Sequence, residues 1–171
     1  MADGPPVFTV RPLTVKDRTW VAQFLDDHWS STKIVTRGQS YYGHLLPGFV
    51  AFEAGHEDDK TPNAIGLVLY RAEGLHCEVM TLDSLTPNIG IGSALLAAVK
   101  VAAAEAGCKR LWLITTNDNT RALRFYQKRG FHLVAVYPNS LNESRRLKPQ
   151  IPIIGIDGIP LRDEIELEAS I

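Results

Sequence analysis

"TPNIGIGSALLAAVKVAAAEAG", residues 86–107, joins a tight cluster of turn residues to a long alanine-rich run. Gly90 and Gly92 stand at the junction, where a helix has to begin. Glycine costs a helix about 1 kcal/mol relative to alanine, so the position needs bare backbone. A helix start offers unpaired N–H groups and the positive end of the helix dipole. Together they suit an anion, above all phosphate. Glycines let a bulky phosphate approach the backbone without meeting a Cβ. The stretch from Ile89 to Ser93 therefore reads either as a diphosphate cradle or as a tight strand-to-helix turn. It is not a P-loop, because "GSALL" lacks the Lys-Ser/Thr pair. A dinucleotide fingerprint would need a third glycine where Ala94 or Leu95 stands.

Outward from this stretch, the pattern alternates strands with helices. Strands are expected at 7–13, 48–55, 64–74, 75–85, 109–116 and 131–138, and a closing strand runs through "RDEIELE". Helices are expected at about 15–29, 91–106 and 119–130. Thr14 and Asp17 resemble a capping arrangement ahead of the first, and Gly107 closes the second. Residues 30–48 read as irregular, 56–63 as a polar hairpin loop and 139–160 as loop-rich. The order gives a mixed α/β (α+β) fold: one mostly antiparallel central sheet of about seven strands, flanked by helices. The 171 residues fit a single domain, 1–171.

Composition excludes several classes of function. The formal net charge of -1 gives no long-range attraction to nucleic acid or anionic membranes. Apolar runs are too short to span a bilayer, and "MADGPPVFTV" is unlike a secretory signal. Cys77 and Cys108 read as reduced thiols of a cytoplasmic protein rather than a disulfide. The five histidines are scattered, so no metal is expected.

The second informative segment is "NTRALRFYQKRGF", residues 119–131. Its spacing N-x-x-A-x-x-x-Y-x-x-x-G-F puts Ala122, Tyr126 and Gly130 on one helix face. On residue chemistry alone, Asn119 is a helix cap and Tyr126 either a core aromatic or a functional hydroxyl. The two segments together, in this order and spacing, resemble the GNAT superfamily of acyl-CoA-dependent N-acetyltransferases. The resemblance covers about residues 7–138. One position departs from it: the family motif opens with Arg or Gln three residues before its first paired glycine, and Pro87 stands there. Backbone amides must then carry the phosphate contacts.

The resemblance implies acetyl-CoA as co-substrate, lying between splayed fourth and fifth strands. Its arm would meet Leu82, Asp83, Ser84 and Leu85; its diphosphate would meet Ile89, Gly90, Ile91, Gly92 and Ser93. Asn119 would touch the arm, and Tyr126 would serve as general acid for the departing sulfur. A base must neutralise the attacking amine. Glu78 and Asp83 are the acidic candidates on the fourth strand, with Glu78 preferred and His76 a lesser relay. Strict alternation places the two carboxylates on opposite faces, unless a bulge intervenes. Acceptor contacts are expected from Trp29, Arg37 and Tyr41 in a first variable stretch, 29–48, and from Arg145 and Arg162 in a second, 139–162. The basic residues of the second suggest an anionic group on the acceptor. The implied function is acetylation of a primary amine on a small molecule: an amino acid, polyamine, antibiotic-like or xenobiotic amine. The alternatives are a protein N-terminal or lysine acetyltransferase and a non-catalytic acyl-CoA-binding module. No nucleic-acid or membrane partner is implied, and a homodimer is left open.

Overall fold

The computed structural model describes residues 7–55 and 63–171; the loop expected at 56–63 lies, Asn63 apart, outside them. Nine strands form: β1 (Phe8–Pro12), β2 (Lys33–Thr36), β3 (Gln39–Tyr42), β4 (Gly48–Glu53), β5 (Ala64–Glu73), β6 (His76–Ser84), β7 (Arg110–Thr116), β8 (His132–Tyr137) and β9 (Glu164–Ser170). Four helices accompany them: α1 (Arg18–Trp29), α2 (Ile91–Glu105), α3 (Thr120–Gln127) and α4 (Leu141–Leu147). The central sheet has seven strands in the order β1-β4-β5-β6-β7-β9-β8. Among the described residues, only β6 and β7 pair in parallel, because α2 crosses between them.

Two of the expectations need correction. Residues 30–48 are not irregular: β2 and β3 form a separate hairpin whose turn places Arg37 and Gly38 at positive φ. Four-residue strands are too short to show a period in sequence. Within the stretch expected to be loop-rich, residues 141–147 form α4. Its neighbours Pro149 and Pro152 mask these two turns of helix in the sequence.

Both faces of the sheet are covered. On β5, Leu67 and Leu69 pack with Val21, Phe24 and Leu25 of α1, while Val68 packs in the cluster formed by α2 on the other face. That explains the continuous apolar run of β5. Helix α2 buries Ile91, Leu95, Leu96, Val99 and Ala103, a single stripe at helical spacing. It ends as expected. Gly107 has φ +80, Cys108 N–H donates to Ala103 (2.9 Å) and Gly107 N–H to Ala104 (3.0 Å).

At the start of α1, Asp17 is a buried hub. Its carboxylate accepts both Arg11 guanidinium nitrogens (2.9 Å each), the Trp20 indole N–H (2.8 Å) and the Thr14 backbone N–H (2.7 Å). Burial pushes this carboxyl up, but Arg11, Trp20 and Thr14 together hold it well below the usual carboxylate range. The stability it contributes is therefore full above the unfolded pKa of about 3.9. It is lost as pH falls toward the folded value. Asp17→Asn should cost about 2 kcal/mol at neutral pH, and the deficit should shrink below pH 4. Urea melts at pH 7 and pH 3 check this; an equal deficit at both would mean the charge is not what matters.

Candidate active site

The sheet comes apart in the middle. β6 and β7 pair from His76↔Arg110 only as far as Val79↔Leu113. Immediately after, the register of β5 against β6 jumps from Tyr70↔Val79 to Leu69↔Thr81, leaving Met80 as an extra residue. A bulge of this kind bends and twists its strand. Beyond it, β6 stays with β5 while Ile114–Thr116 of β7 pair with β9 alone. One side of the β6 backbone is thereby left free. Leu85 N–H donates to Ile65 (2.8 Å), on the β5 side. By strand alternation, the free peptide groups facing the gap are those of Leu82 and Ser84. Asp83 and Leu85 turn theirs toward β5, so only half of the expected backbone contacts are available to a ligand in the gap.

A groove of about 590 Å³ opens on one side of this gap. Leu82 and Ser84 border it, followed by Pro87, Asn88 and the residues Gly90–Ser93 at the start of α2. Gly90 has φ +89, and a Cβ there would meet nothing within 4 Å. Such a Cβ would stand in open space at the helix start, where a bulky anion would otherwise meet the amides. Gly92 is constrained differently: a Cβ would lie 3.1 Å from the Phe125 ring. Across the groove stand Asn119, Ala122, Tyr126 and four cations, Arg121, Arg124, Lys128 and Arg129. Arg129 donates to Ser93 Oγ (3.0 and 2.7 Å) and lies 3.6 Å over the Phe125 ring centroid. These cations went unread in the sequence, although 121, 124 and 128 share a helix face. They place positive charge where Pro87 supplies none.

A second pocket, of about 460 Å³, lies on the other face of the splay. It collects Trp29, Glu78, Asp83, Lys148 and Glu164 within walls that include Ile34, Val79, Met80, Ile114, Leu141 and Leu161. The two carboxylates of β6 thus share one pocket: the Met80 bulge cancels the alternation that would have separated them. Burial pushes Glu78 up to about 7, against the lowering effect of Arg71, whose Nη2 is 3.7 Å away. Burial likewise pushes Asp83 up to about 6, although its Oδ1 accepts the Trp29 indole N–H (3.0 Å). Lys148 is lowered by burial. Asn119 borders both cavities. Its side chain caps α3 by accepting Ala122 N–H (3.1 Å), so the two sites meet at this residue.

Tyr126 is buried in the α2 core cluster at 7% exposure, yet its ring edge borders the first groove. Burial, then the nearby Asp83 charge, pushes its hydroxyl well above the ordinary tyrosine range. The hydroxyl therefore stays protonated, as a proton donor requires. Of the remaining expected residues, Trp29 alone borders the second pocket. The Arg37 guanidinium lies 3.3 Å over the Tyr137 ring centroid. Tyr41 bonds Gln39 and lies beside Arg71. Arg145 donates to the carbonyls of Ile151 (3.2 Å), Pro152 (2.7 Å) and Leu161. Arg162 pairs with Asp163 at 2.9 Å. Leu85 and Ile89 border neither cavity, and His76 is exposed on the far side of Glu78. The expected anion-binding role for the basic loop finds no geometric support: its arginines engage the protein itself, and the pocket is lined with carboxylates.

Residues 46–131 match the model of the Acetyltransferase (GNAT) family. The chain belongs to this family. Two Bacillus subtilis relatives named as uncharacterized proteins resemble it along most of their lengths. YdhI is 41% identical over 145 residues, 85% of this chain and 87% of its own. YxbD is 40% identical over 147 residues, 86% and 89%. Among solved structures, the IAA acetyltransferase from Bacillus cereus superposes with a TM-score of 0.70 at 20% identity, covering 96% of this chain and 99% of that one. A GNAT family acetyltransferase from Elizabethkingia anophelis, solved with acetyl-CoA bound, gives 0.66 at 20% identity, covering 98% and 100%. These likenesses establish the shared acetyltransferase fold. Among the described residues, no helix is long and apolar enough to cross a membrane.

The cradle geometry has a direct test. Gly90→Glu sets a bulky anion at the helix start, so the Kd for CoA should rise at least about tenfold, equivalent to 1.4 kcal/mol. Calorimetry on the folded variant checks this; unchanged affinity would move the phosphate site away from α2.

Proposed function

We propose that the protein transfers the acetyl group of acetyl-CoA to a primary amine of a small molecule, by direct attack in a ternary complex. The acetyltransferase family supplies the reaction type. The observation that carries the choice of small molecule is the covering of the second pocket. Lys148 Nζ donates to the carbonyls of Trp29 (3.0 Å) and Lys33 (3.2 Å), and Lys33 Nζ donates to Leu147 (3.1 Å). The segment after α4 is thus tied across the acceptor side to the end of α1 and to β2. Arg145 braces the same segment through three carbonyls, and Asp118 accepts the Ile156 N–H (2.9 Å). A bridged pocket of small-ligand size suits a compact amine better than a polypeptide chain.

The residues divide the work as follows. The amides at the start of α2 and the α3 cations hold phosphate, and Leu82 and Ser84 offer backbone partners to the arm. An acceptor ammonium enters the carboxylate-lined pocket and loses one proton to Asp83, which passes it to solvent. The amine nitrogen attacks the thioester carbonyl carbon; a C–N bond forms and the C–S bond breaks. The second nitrogen proton balances the one that Tyr126 gives to the sulfur. Asp83 is assigned the base in place of Glu78 because it adjoins the gap-facing Leu82 and Ser84, and because its charge acts on the Tyr126 hydroxyl. Glu78 lies beside Arg71, in the paired half of β6.

Release of CoA from acetyl-CoA, read across a panel of amines, tests the reading. Turnover with small primary amines is expected; CoA binding without turnover of any amine would make the protein an acyl-CoA-binding module. On the acid side, kcat/KM should rise with pH through about 6, since a protonated Asp83 cannot accept a proton. Asp83→Asn should lower kcat about 10²-fold and remove this limb, and Glu78→Gln should retain it. The reverse pattern would return the role to Glu78. Tyr126→Phe should also lower kcat about 10²-fold. Its hydroxyl has no hydrogen-bond partner among the described residues, so melting should change by less than about 0.5 kcal/mol. Near-normal kcat would remove Tyr126 from the mechanism.

A further inference from the structure

Glu164 is 3% exposed, stands at the start of β9 and borders the second pocket. Its Oε1 is 3.5 Å from the Ser144 hydroxyl, and its Oε2 is buried with no hydrogen-bond partner. Asp83 shows the same feature: Oδ1 takes the Trp29 N–H, and Oδ2 is buried and unpartnered. A buried carboxylate oxygen without a donor is costly, by about 1–3 kcal/mol or more for a charged group, and native structures rarely tolerate one without a reason. Two of them border one pocket. Lys148, the lysine at its wall, directs its ammonium at backbone carbonyls and forms no ion pair with either acid among the described residues. The pocket therefore asks for donors from its occupant at two separate places.

We propose, resting on the amine-acetylation reading above, that the acceptor is a diamine: one nitrogen is presented to Asp83 for acetylation, and a second ammonium is held by Glu164. The spacing follows from the sheet. β7 lies between β6 and β9, so Asp83 and Glu164 stand two strand spacings apart, about 10 Å, and the splay of β6 from β7 widens this. Two charge-assisted hydrogen bonds of about 2.8 Å each leave about 4 Å between the nitrogens at that separation, and a chain of four to five carbons fits once the splay adds about 2–3 Å. The apolar walls, with Met80, Ile114 and Leu161 among them, suit its methylenes. A monoamine would satisfy Asp83 and leave Glu164 Oε2 buried and unpaired. An amino acid would bring its own carboxylate against Glu78, Asp83 and Glu164, so like charge disfavours it.

The test compares 1,4-diaminobutane and 1,5-diaminopentane with butylamine and pentylamine, using the full chain and acetyl-CoA. The diamines should have KM values at least about tenfold lower than the monoamines of equal length. Glu164→Gln should raise the diamine KM at least about tenfold while changing the monoamine KM less than twofold. Calorimetry of each diamine against the protein with CoA present should show binding that weakens by the same factor in Glu164→Gln. Equal KM for diamine and monoamine in the unaltered protein would overturn the proposal, whatever the stability of the variant, and would leave amine acetylation standing. Diamine binding that depends on Glu164 but gives no turnover, with no turnover of any other amine, would instead overturn the acetylation reading and keep the dication site. Absence of diamine binding by calorimetry overturns the proposal outright.

Discussion

One constraint organises this molecule: the parallel pairing of β6 with β7 stops at Val79↔Leu113. Pairing to the end of both strands would bury the peptide groups of Leu82 and Ser84 in a ladder. The extra residue at Met80 prevents it by turning the outer half of β6 away with β5. Unpaired strand groups inside a sheet are ordinarily a liability, and here they border a groove that leads to the start of α2. The same bulge resets the side-chain alternation, bringing Asp83 to the face that Glu78 already occupies. A single inserted residue thus opens the gap, frees the backbone and assembles the acid pair.

The fold was legible in the sequence wherever an element was long and periodic. The stripe of Ile91, Leu95, Val99 and Ala103, the apolar run of β5 and the punctuation by Gly107 and Gly130 are local properties, and the observed elements follow them. The β2–β3 hairpin and α4 were not legible, because each is shorter than the window in which a period declares itself. The two spaced motifs were legible as a family resemblance, and the match over residues 46–131 agrees. The roles of arginines were the least legible. Nothing local distinguishes Arg145, which braces three carbonyls, from Arg129, which sits at the helix start beside Ser93. That difference is made by how the chain folds back: Arg145 meets carbonyls 6, 7 and 16 positions on, and Arg129 meets Ser93, 36 positions before it. The alternation of Glu78 and Asp83 failed for a related reason, since a bulge is a property of a strand pair and not of one strand.

Charge is sorted across the splay. On the groove side, α3 and the turn after it place Arg121, Arg124, Lys128 and Arg129 along the groove that holds the start of α2. On the pocket side, β6 and β9 present Glu78, Asp83 and Glu164. A net charge of -1 conceals this separation, which is why composition excluded polyanionic partners but said nothing about local fields. Opposite fields in adjoining cavities favour an anionic ligand in one and a cationic ligand in the other. Asn119 stands at the boundary, where two such ligands would come into contact, and Tyr126 borders the groove side.

Pro87 stands where the family resemblance expects an Arg or Gln, and positive charge reaches the same helix start from elsewhere. An Arg or Gln at that position would contribute one donor group from the loop. Arg129, just past the end of α3, reaches Ser93 Oγ with two donors, and its guanidinium lies 3.6 Å over the Phe125 ring centroid. Phe125 in turn closes on Gly92, where a Cβ would lie 3.1 Å from its ring and the ring would have to give by a few tenths of an ångström. The second glycine is therefore favoured by packing, and the first by backbone conformation, with φ +89. A side chain at position 92 would press on Phe125 and, through it, on Arg129. The two glycines protect the same helix start by different means: Gly90 by leaving its approach open, Gly92 by keeping Arg129 in place.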